Sequence, residues 1–174
     1  MAETMVLLKT AAWDLVAVRT QAIMASHAQG AGKKDRNFKV DDRTDQEVHH
    51  DGMVGEVAFH VWSGLPLPEI KARGGDGRGG DFFIGARGRG PLNVKCVRPG
   101  RNLVPRKGVP LLSEFYCLAW WDGHSQTVRL MGWVERSTML AENNVRDFRI
   151  GPQLFYPWEQ LSPMDELPLE EVKN

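Results

Sequence analysis

The chain of 174 residues is long enough for one buried core and too short for two domains of ordinary size. With 42% hydrophobic and 25% charged residues, it has the composition of a globular protein, and no run of 18 apolar residues suggests a membrane span. The first residues lack the basic and then apolar order of a secretory signal. We therefore expect a cytoplasmic protein whose two cysteines, Cys96 and Cys117, are reduced and pack in strands.

The formal charge of zero hides an uneven distribution of charged residues. Residues 71–107 hold ten basic and two acidic side chains, whereas residues 1–70 hold seven and ten, and residues 108–174 hold five and ten. A concentrated basic segment is what phosphate neutralisation requires, because local charge density releases counterions. The segment predicts either a nucleic-acid contact or a solvated, glycine-rich loop face. The arginines considered for the contact are Arg73, Arg78, Arg87, Arg89, Arg98 and Arg101.

The first part of the chain predicts two helices. Apolar residues at helical spacing predict one helix from Thr4 to about His27, and residues 30–36 form an exposed connection. A second helix is predicted from about Arg43 to Trp62. Gly52 and Gly55 weaken this helix, and a glycine inside a helix commonly marks the close approach of another element.

The rest of the chain predicts the strands of a sheet. Strands are predicted at Asp81–Ala86, Leu92–Val97, Phe115–Trp121 and Thr127–Val134, followed by a short helix from Glu135 to about Glu142 and an irregular tail that packs by its aromatic residues. The first two strands form a hairpin. The third is apolar on both faces, as a central strand covered by helices would be. The sequence therefore predicts one α/β unit, a mixed sheet flanked by helices.

Four side chains around the predicted hairpin could act on one metal ion. Because side chains alternate along a strand, Asn93 and Lys95 share a face, and Asp81 at the start of the partner strand can lie beside them. Glu56, in the middle of the second helix, could add a carboxylate from the side. Magnesium binds through one or two carboxylates, waters and phosphate oxygens, and a nearby lysine stabilises developing negative charge.

Three stretches of sequence carry a family resemblance: Gly52-Met-Val-Gly-Glu-Val-Ala-Phe, Gly80-Asp-Phe-Phe-Ile and Asn93-Val-Lys-Cys-Val-Arg. Together they resemble the PD-(D/E)xK superfamily of restriction-endonuclease-like nucleases, and its small phage- and bacteria-associated branch in particular. In that pattern a helix glutamate precedes an aspartate that opens a hairpin, which an acid-x-Lys triplet closes. The resemblance extends over roughly residues 45–167. It implies a restriction-endonuclease-like core at 43–174, preceded by an extra N-terminal helix and connection at 1–42.

The resemblance also implies an activity, the hydrolysis of DNA phosphodiesters by an endonuclease that uses Mg²⁺ or Mn²⁺. Asp81 would be the principal metal ligand, Glu56 an auxiliary ligand, and the backbone carbonyl of Val94 a further one. Lys95 would orient or activate the attacking water. The implied partner is DNA, the implied setting is a bacterial or phage-infected cell, and a homodimer is compatible with cutting both strands.

Position 93 departs from the family pattern, because it holds asparagine where aspartate or glutamate is expected. An amide oxygen can coordinate a hard cation but contributes no charge. Three explanations stay open: an enzyme with a weaker ligand, a catalytically silent DNA-binding or assembly protein on the same fold, or an inactivating substitution in this chain. A host-interaction protein with no nucleic-acid role is a further hypothesis.

Overall fold

The computed structural model describes residues 3–29, 44–70, 80–84, 90–104, 111–141, 145–148 and 151–169. In chain order they form β1 (Thr4–Leu7), α1 (Thr10–Gln29), α2 (Asp45–Ser63), β2 (Phe82–Ile84), β3 (Gly90–Val97), β4 (Phe115–Trp120), β5 (Thr127–Glu135), α3 (Arg136–Met139), β6 (Val145–Phe148) and β7 (Gly151–Leu154). Two short 3-10 helices follow in the tail. The predicted class, α/β with a mixed sheet and helices, is confirmed.

Five of the strands form one mixed sheet in the order β1-β5-β4-β3-β2. β3 and β4 run parallel, with Asn93 beside Tyr116, and the other neighbours are antiparallel. β4 lies at the centre, as its apolar residues predicted. Because β3 and β4 are parallel, the connection between them, of which residues 98–104 and 111–114 are described, is a crossover from one end of the sheet to the other.

Both faces of the sheet are covered, by different parts of the chain. On one face α1 and α2 build a core with the strands, to which Val16, Val54, Val57, Phe59, Leu92, Val94, Cys117 and Leu130 contribute. On the other face the crossover and the tail cover the strands, through Leu103, Tyr116, Leu118, Trp120, Met131, Val134, Tyr156 and Leu161. Alternate residues of each strand therefore belong to alternate cores. Both cysteines are free thiols, and burial raises the pKa of Cys117.

Helix α2 has clear signals at both ends. The backbone N–H of Thr44 donates to Oε2 of Glu47 at 2.6 Å, and the backbone N–H of Glu47 donates to Oγ1 of Thr44 at 3.2 Å. This reciprocal capping box satisfies two of the amides that a helix leaves without internal partners. At the other end Gly64 has a φ of +72° and its N–H donates to the carbonyl of His60. The observed helix, Asp45–Ser63, lies within two residues of the predicted one.

Gly55 fixes the distance between α2 and β3. A Cβ atom at this position would lie 2.6 Å from Cβ of Cys96 and 3.4 Å from Cγ1 of Val94. The missing side chain lets the helix backbone contact the strand directly, which is the close approach that the glycine predicted.

The predicted N-terminal helix is wrong in its first turn. Residues Thr4–Leu7 form β1, which pairs antiparallel with β5, and α1 begins only at Thr10. Along β1 and just beyond it, Val6 and Leu8 are buried while Met5 and Leu7 are exposed, which is the alternation of a strand. Leu7 and Leu8 also fit a helical spacing, so the local pattern was ambiguous. Pairing with β5, which is distant in sequence, makes these residues a strand.

Smaller differences concern the strand ends and the tail. β2 begins one residue later than predicted, its predicted end at 85–86 lies outside the described residues, and β3 begins two residues earlier. The short predicted helix is reduced to α3. No strand was predicted at 145–154, where β6 and β7 pair antiparallel just before the tail. Its aromatic packing is as predicted, since Tyr156 is buried and Trp158 meets Trp120 at a ring distance of 5.0 Å.

Among the described residues, neither of the two long helices is apolar enough to cross a bilayer.

We expect Gly55→Ala and Gly52→Ala to change stability in opposite directions, although both replace a glycine inside α2. Gly52 has no neighbour within 4 Å of a built Cβ, so alanine there should stabilise the fold by about 0.5–1 kcal/mol. At Gly55 the added methyl must push α2 from β3, which should cost about 1–3 kcal/mol. Urea denaturation of both variants measures the difference. Equal stabilisation by both would mean that the contact with Cys96 does not fix the helix.

Candidate functional site

Asp81 is anchored to the middle of β3. Its backbone N–H donates to the carbonyl of Leu92 at 2.8 Å, and its Oδ2 accepts a hydrogen bond from the N–H of Val94 at 2.7 Å. The pairing of β2 with β3 ends at Leu92, so the carboxylate takes the place that a further strand residue would occupy. These two contacts place Asp81 beside Asn93.

Asn93 and Lys95 lie on the face of β3 that turns away from α2. Val94 and Cys96 meet α2 at Gly55, and side chains alternate along a strand, so positions 93 and 95 belong to the opposite face. In the pairing of β3 with β4, Asn93 lies beside Tyr116 and Lys95 lies beside Leu118. Lys95 is half-buried.

The side-chain oxygen of Asn93 is in an unusual environment. The residue is 7% exposed, and among the described residues its Oδ1 has no hydrogen-bond partner. A buried oxygen in this state costs about 1–3 kcal/mol relative to a satisfied one, so native structures rarely keep it without a reason. A hard cation or a proton donor would satisfy it.

Tyr116 is the neighbour of Asn93 in the pairing of β3 with β4, and Ser113 forms hydrogen bonds with Tyr116; neither residue was singled out from the sequence. Both side chains are buried. Burial raises the pKa of Tyr116, while hydrogen bonds from the backbone and side chain of Ser113 and the positive charge of Arg136 oppose the rise. The negative charge of Asp81 adds to the rise in pKa. The phenol thus lies within electrostatic reach of both Asp81 and Arg136. A tyrosine in an apolar strand has no distinctive sequence signal, and only the register with Asn93 reveals it.

We call Asp81, Asn93, Lys95, Ser113, Tyr116 and Arg136 the hairpin patch. It combines one carboxylate, one amide, two cations and two hydroxyl groups around the strand pair β3–β4.

Glu56 lies in α2, on the opposite side of the sheet from the face of Asn93 and Lys95. It is half-buried in α2, one residue after Gly55, so its side chain leaves the helix about 100° away from the contact with β3. The carboxylate could meet the patch only past the edge of β3 that β2 leaves uncovered. In the described part of the chain, no three side chains of His, Cys, Asp or Glu come together as a metal-binding group. The side chains predicted to bind the metal are the carboxylates of Glu56 and Asp81 and the amide of Asn93. They therefore include one acidic residue fewer than a group of three.

The predicted phosphate-binding arginines divide into three groups. Arg73, Arg78, Arg87 and Arg89 lie outside the described residues. Arg98 makes an internal ion pair, with Nη2 3.4 Å from Oδ2 of the buried Asp51, and its guanidinium carbon lies 5.4 Å from the centroid of the Trp121 ring. Arg98 therefore ties the end of β3 to α2. Arg101 is exposed, and its carbonyl accepts a hydrogen bond from Nε1 of Trp120.

A surface cavity of about 480 Å³ lies on the same face of the sheet, near the other end of β4. It is lined by Glu3, Trp120, Arg129, Met131, Trp158 and Glu159. None of these residues belongs to the hairpin patch, so the cavity and the patch are separate features.

Comparison with protein-family models, with curated proteins and with solved structures finds no significant match for this chain.

The raised pKa of Tyr116 predicts a pH dependence of stability. A tyrosine that holds its proton more tightly when folded stabilises the protein fully below its unfolded pKa near 10, and this contribution is lost as the pH rises through the folded pKa. Stability should therefore fall above about pH 10, and Tyr116→Phe should make the fall shallower.

Urea denaturation at a series of pH values between about 8 and 11.5 measures this difference in slope. The variant also loses the hydrogen bonds to Ser113, which should lower its stability by about 1 kcal/mol at every pH. Equal slopes for the variant and the parent protein would contradict the assignment.

Proposed function

We propose that the chain is a divalent-metal-dependent DNA endonuclease of the PD-(D/E)xK type, with its reaction centre at the hairpin patch. The supporting observation is the buried Oδ1 of Asn93, which has no partner among the described residues, one residue before Val94, whose N–H anchors the carboxylate of Asp81. An unsatisfied amide oxygen and an anchored carboxylate on neighbouring positions of the strand pair are oxygen groups of the kind that Mg²⁺ and Mn²⁺ bind.

Further ligands in this proposal come from β3 and α2. The N–H and the carbonyl of a strand residue leave the strand on the same side. Because the N–H of Val94 donates to Asp81, its carbonyl faces the same uncovered edge of β3. Glu56 would complete the set from α2. When bound there, the cation would polarise the scissile phosphate and make its bound water more acidic.

In this proposal Lys95 supplies a positive charge beside the scissile phosphate. It shares the face of Asn93, two residues further along β3, so its ammonium can bind a phosphate oxygen or the attacking water. Arg136 supplies a second positive charge near Tyr116. The two charges would hold the DNA backbone against the patch without reading its sequence.

Asn93 also favours a second candidate, a catalytically silent DNA-binding or assembly protein on the same framework. With an amide in place of an acid, the site has one negative charge fewer to attract a cation and to hold a metal-bound hydroxide. The lone oxygen of Asn93 would then accept a hydrogen bond from a bound molecule in place of coordinating a metal.

The test combines cleavage with metal binding. Supercoiled plasmid is incubated with Mg²⁺ or Mn²⁺ and the parent protein, Asp81→Ala, Lys95→Ala or Asn93→Asp. For an enzyme we expect nicking that Lys95→Ala reduces by about 100-fold or more and Asp81→Ala abolishes. Asn93→Asp should keep or increase the rate, and it should tighten Mn²⁺ binding by about tenfold, measured by calorimetry.

The matched control is Asn102→Asp. Oδ1 of Asn102 accepts a hydrogen bond from the N–H of Trp158 at 3.0 Å, outside the patch, and an aspartate keeps that acceptor. It should leave both cleavage and Mn²⁺ affinity unchanged. A parent protein that is inactive while Asn93→Asp cleaves would support the silent alternative. If neither cleaves and neither binds Mn²⁺, the metal site is refuted.

The basic segment 71–107 gives an independent test of DNA binding. If its ten basic residues contact phosphates, the logarithm of the affinity for duplex DNA should fall linearly with the logarithm of salt concentration. Each phosphate contact contributes about 0.9 to the slope, so Arg101→Ala should reduce the slope by about one. Fluorescence anisotropy between about 50 and 200 mM salt measures it. A slope near zero would remove phosphate contacts from the proposal.

A further inference from the structure

β1 is an edge strand that presents its backbone outward. In the described part of the chain it pairs with β5 alone. The N–H of Leu8 donates to the carbonyl of Gln126 on the β5 side, so the even-numbered residues turn their backbone groups toward β5. The N–H and carbonyl groups of Met5 and Leu7 therefore point to the open edge, because this direction alternates along a strand.

The side chains of this edge are also apolar and exposed. Met5 is 69% and Leu7 57% exposed, and both lie on the same face of the strand. Edge strands of monomeric proteins are usually protected by a proline, a bulge or a charged side chain within the strand. β1 has the sequence Thr-Met-Val-Leu and contains none of these.

The sequence around β1 is complementary to itself in one register. If two copies align antiparallel about Val6, Met5 of each copy faces Leu7 of the other, and Glu3 faces Lys9. Glu3 and Lys9 are both exposed. Moving the centre to Met5 or to Leu7 separates the two charges, and a parallel alignment places like charges together. Opposite charges across a strand pair stabilise it, and like charges destabilise it.

We propose that the chain forms a two-fold symmetric dimer in which β1 pairs antiparallel with β1 of a second copy, centred on Val6. The outward N–H and carbonyl groups of Met5 and Leu7 then form backbone hydrogen bonds between the copies, and the two five-stranded sheets become one. The proposal is independent of the proposed function, because it uses no residue of the hairpin patch.

Sedimentation velocity of the full chain over a range of concentrations tests the dimer. One pair of four-residue strands is a small interface, so we expect a weak dimer that forms progressively from about 1 to about 300 µM. Leu7→Pro removes an outward N–H but keeps the N–H groups that face β5, so it should abolish the dimer and leave the fold intact. Leu112→Lys is the matched control, since Leu112 is 55% exposed outside this edge, and it should dimerise normally.

A charge exchange tests the register. Glu3→Lys and Lys9→Glu should each weaken dimerisation about tenfold, and the double variant should restore it. Glu3 also lies 3.4 Å from Arg129 in its own chain. Loss of that contact persists in the double variant, so only pairing between copies explains a rescue. Circular dichroism of each variant checks folding.

A monomer at every concentration would overturn the proposal and leave this edge to a different partner. A dimer that survives both Leu7→Pro and Glu3→Lys would overturn it as well, because the copies would then meet through another surface. Neither result would alter plasmid cleavage by the hairpin patch, so the two proposals fail separately.

Discussion

The contact between Gly55 and Cys96 is the constraint on which the rest of the arrangement depends. It brings the backbone of α2 against β3 and assigns Val94 and Cys96 to the helix-covered core. Because the side chains of a strand alternate, this assignment leaves Asn93 and Lys95 on the other face. A shift of one residue in β3 would exchange the two sets and bury a lysine under α2.

The two faces of the sheet are covered by different parts of the chain. The helix side is closed by large apolar residues of α1 and α2, whereas the other side is covered by the crossover and the tail. The hairpin patch lies where Asp81, Ser113 and Arg136 surround the start of β4. Backbone groups hold two of the charged side chains there, since Nη1 of Arg136 donates to the carbonyl of Leu111 at 3.2 Å and the carboxylate of Asp81 accepts from β3. Asp81 is the clearest example, since its carboxylate is fixed by the N–H of Val94.

The sequence predicted those features that depend on local chemistry. The extent of α2 was predicted to within two residues, and in the structure its ends are set by Thr44, Glu47 and Gly64, whose capping roles act within a few residues. The central position of β4 followed from its apolar residues. β1 was missed because its few residues fit a helix as well as a strand, and only pairing with β5, more than a hundred residues away, distinguishes the two. β6 and β7 were also missed, although these two strands pair with each other locally.

The candidate site was likewise predictable where it depends on nearby residues, and not where it depends on residues distant in sequence. Strand alternation was sufficient to place Asn93 and Lys95 on one face, and the start of the hairpin was sufficient to place Asp81 beside them. The neighbours of Asn93 in β4 were not predictable, because the register of a parallel pair depends on a crossover whose length does not fix it. Tyr116 and Ser113 therefore emerged only from the structure. Glu56 is the opposite case, since its position in α2 was predicted but lies in the other layer.

Position 93 joins these observations, because the same residue departs from the pattern that the sequence resembles and has a buried oxygen with no partner among the described residues. An asparagine retained only for packing would be expected to direct both ends of its amide to neighbouring groups. Here the oxygen end has no partner among the described residues, although Asn93 is 7% exposed and β4 runs alongside it. A leucine of similar volume would remove that cost, so a bound cation or proton donor, as in the proposed function, would give the amide a role that packing does not. Val94 and Cys96 need no such role, because their contacts with α2 account for them.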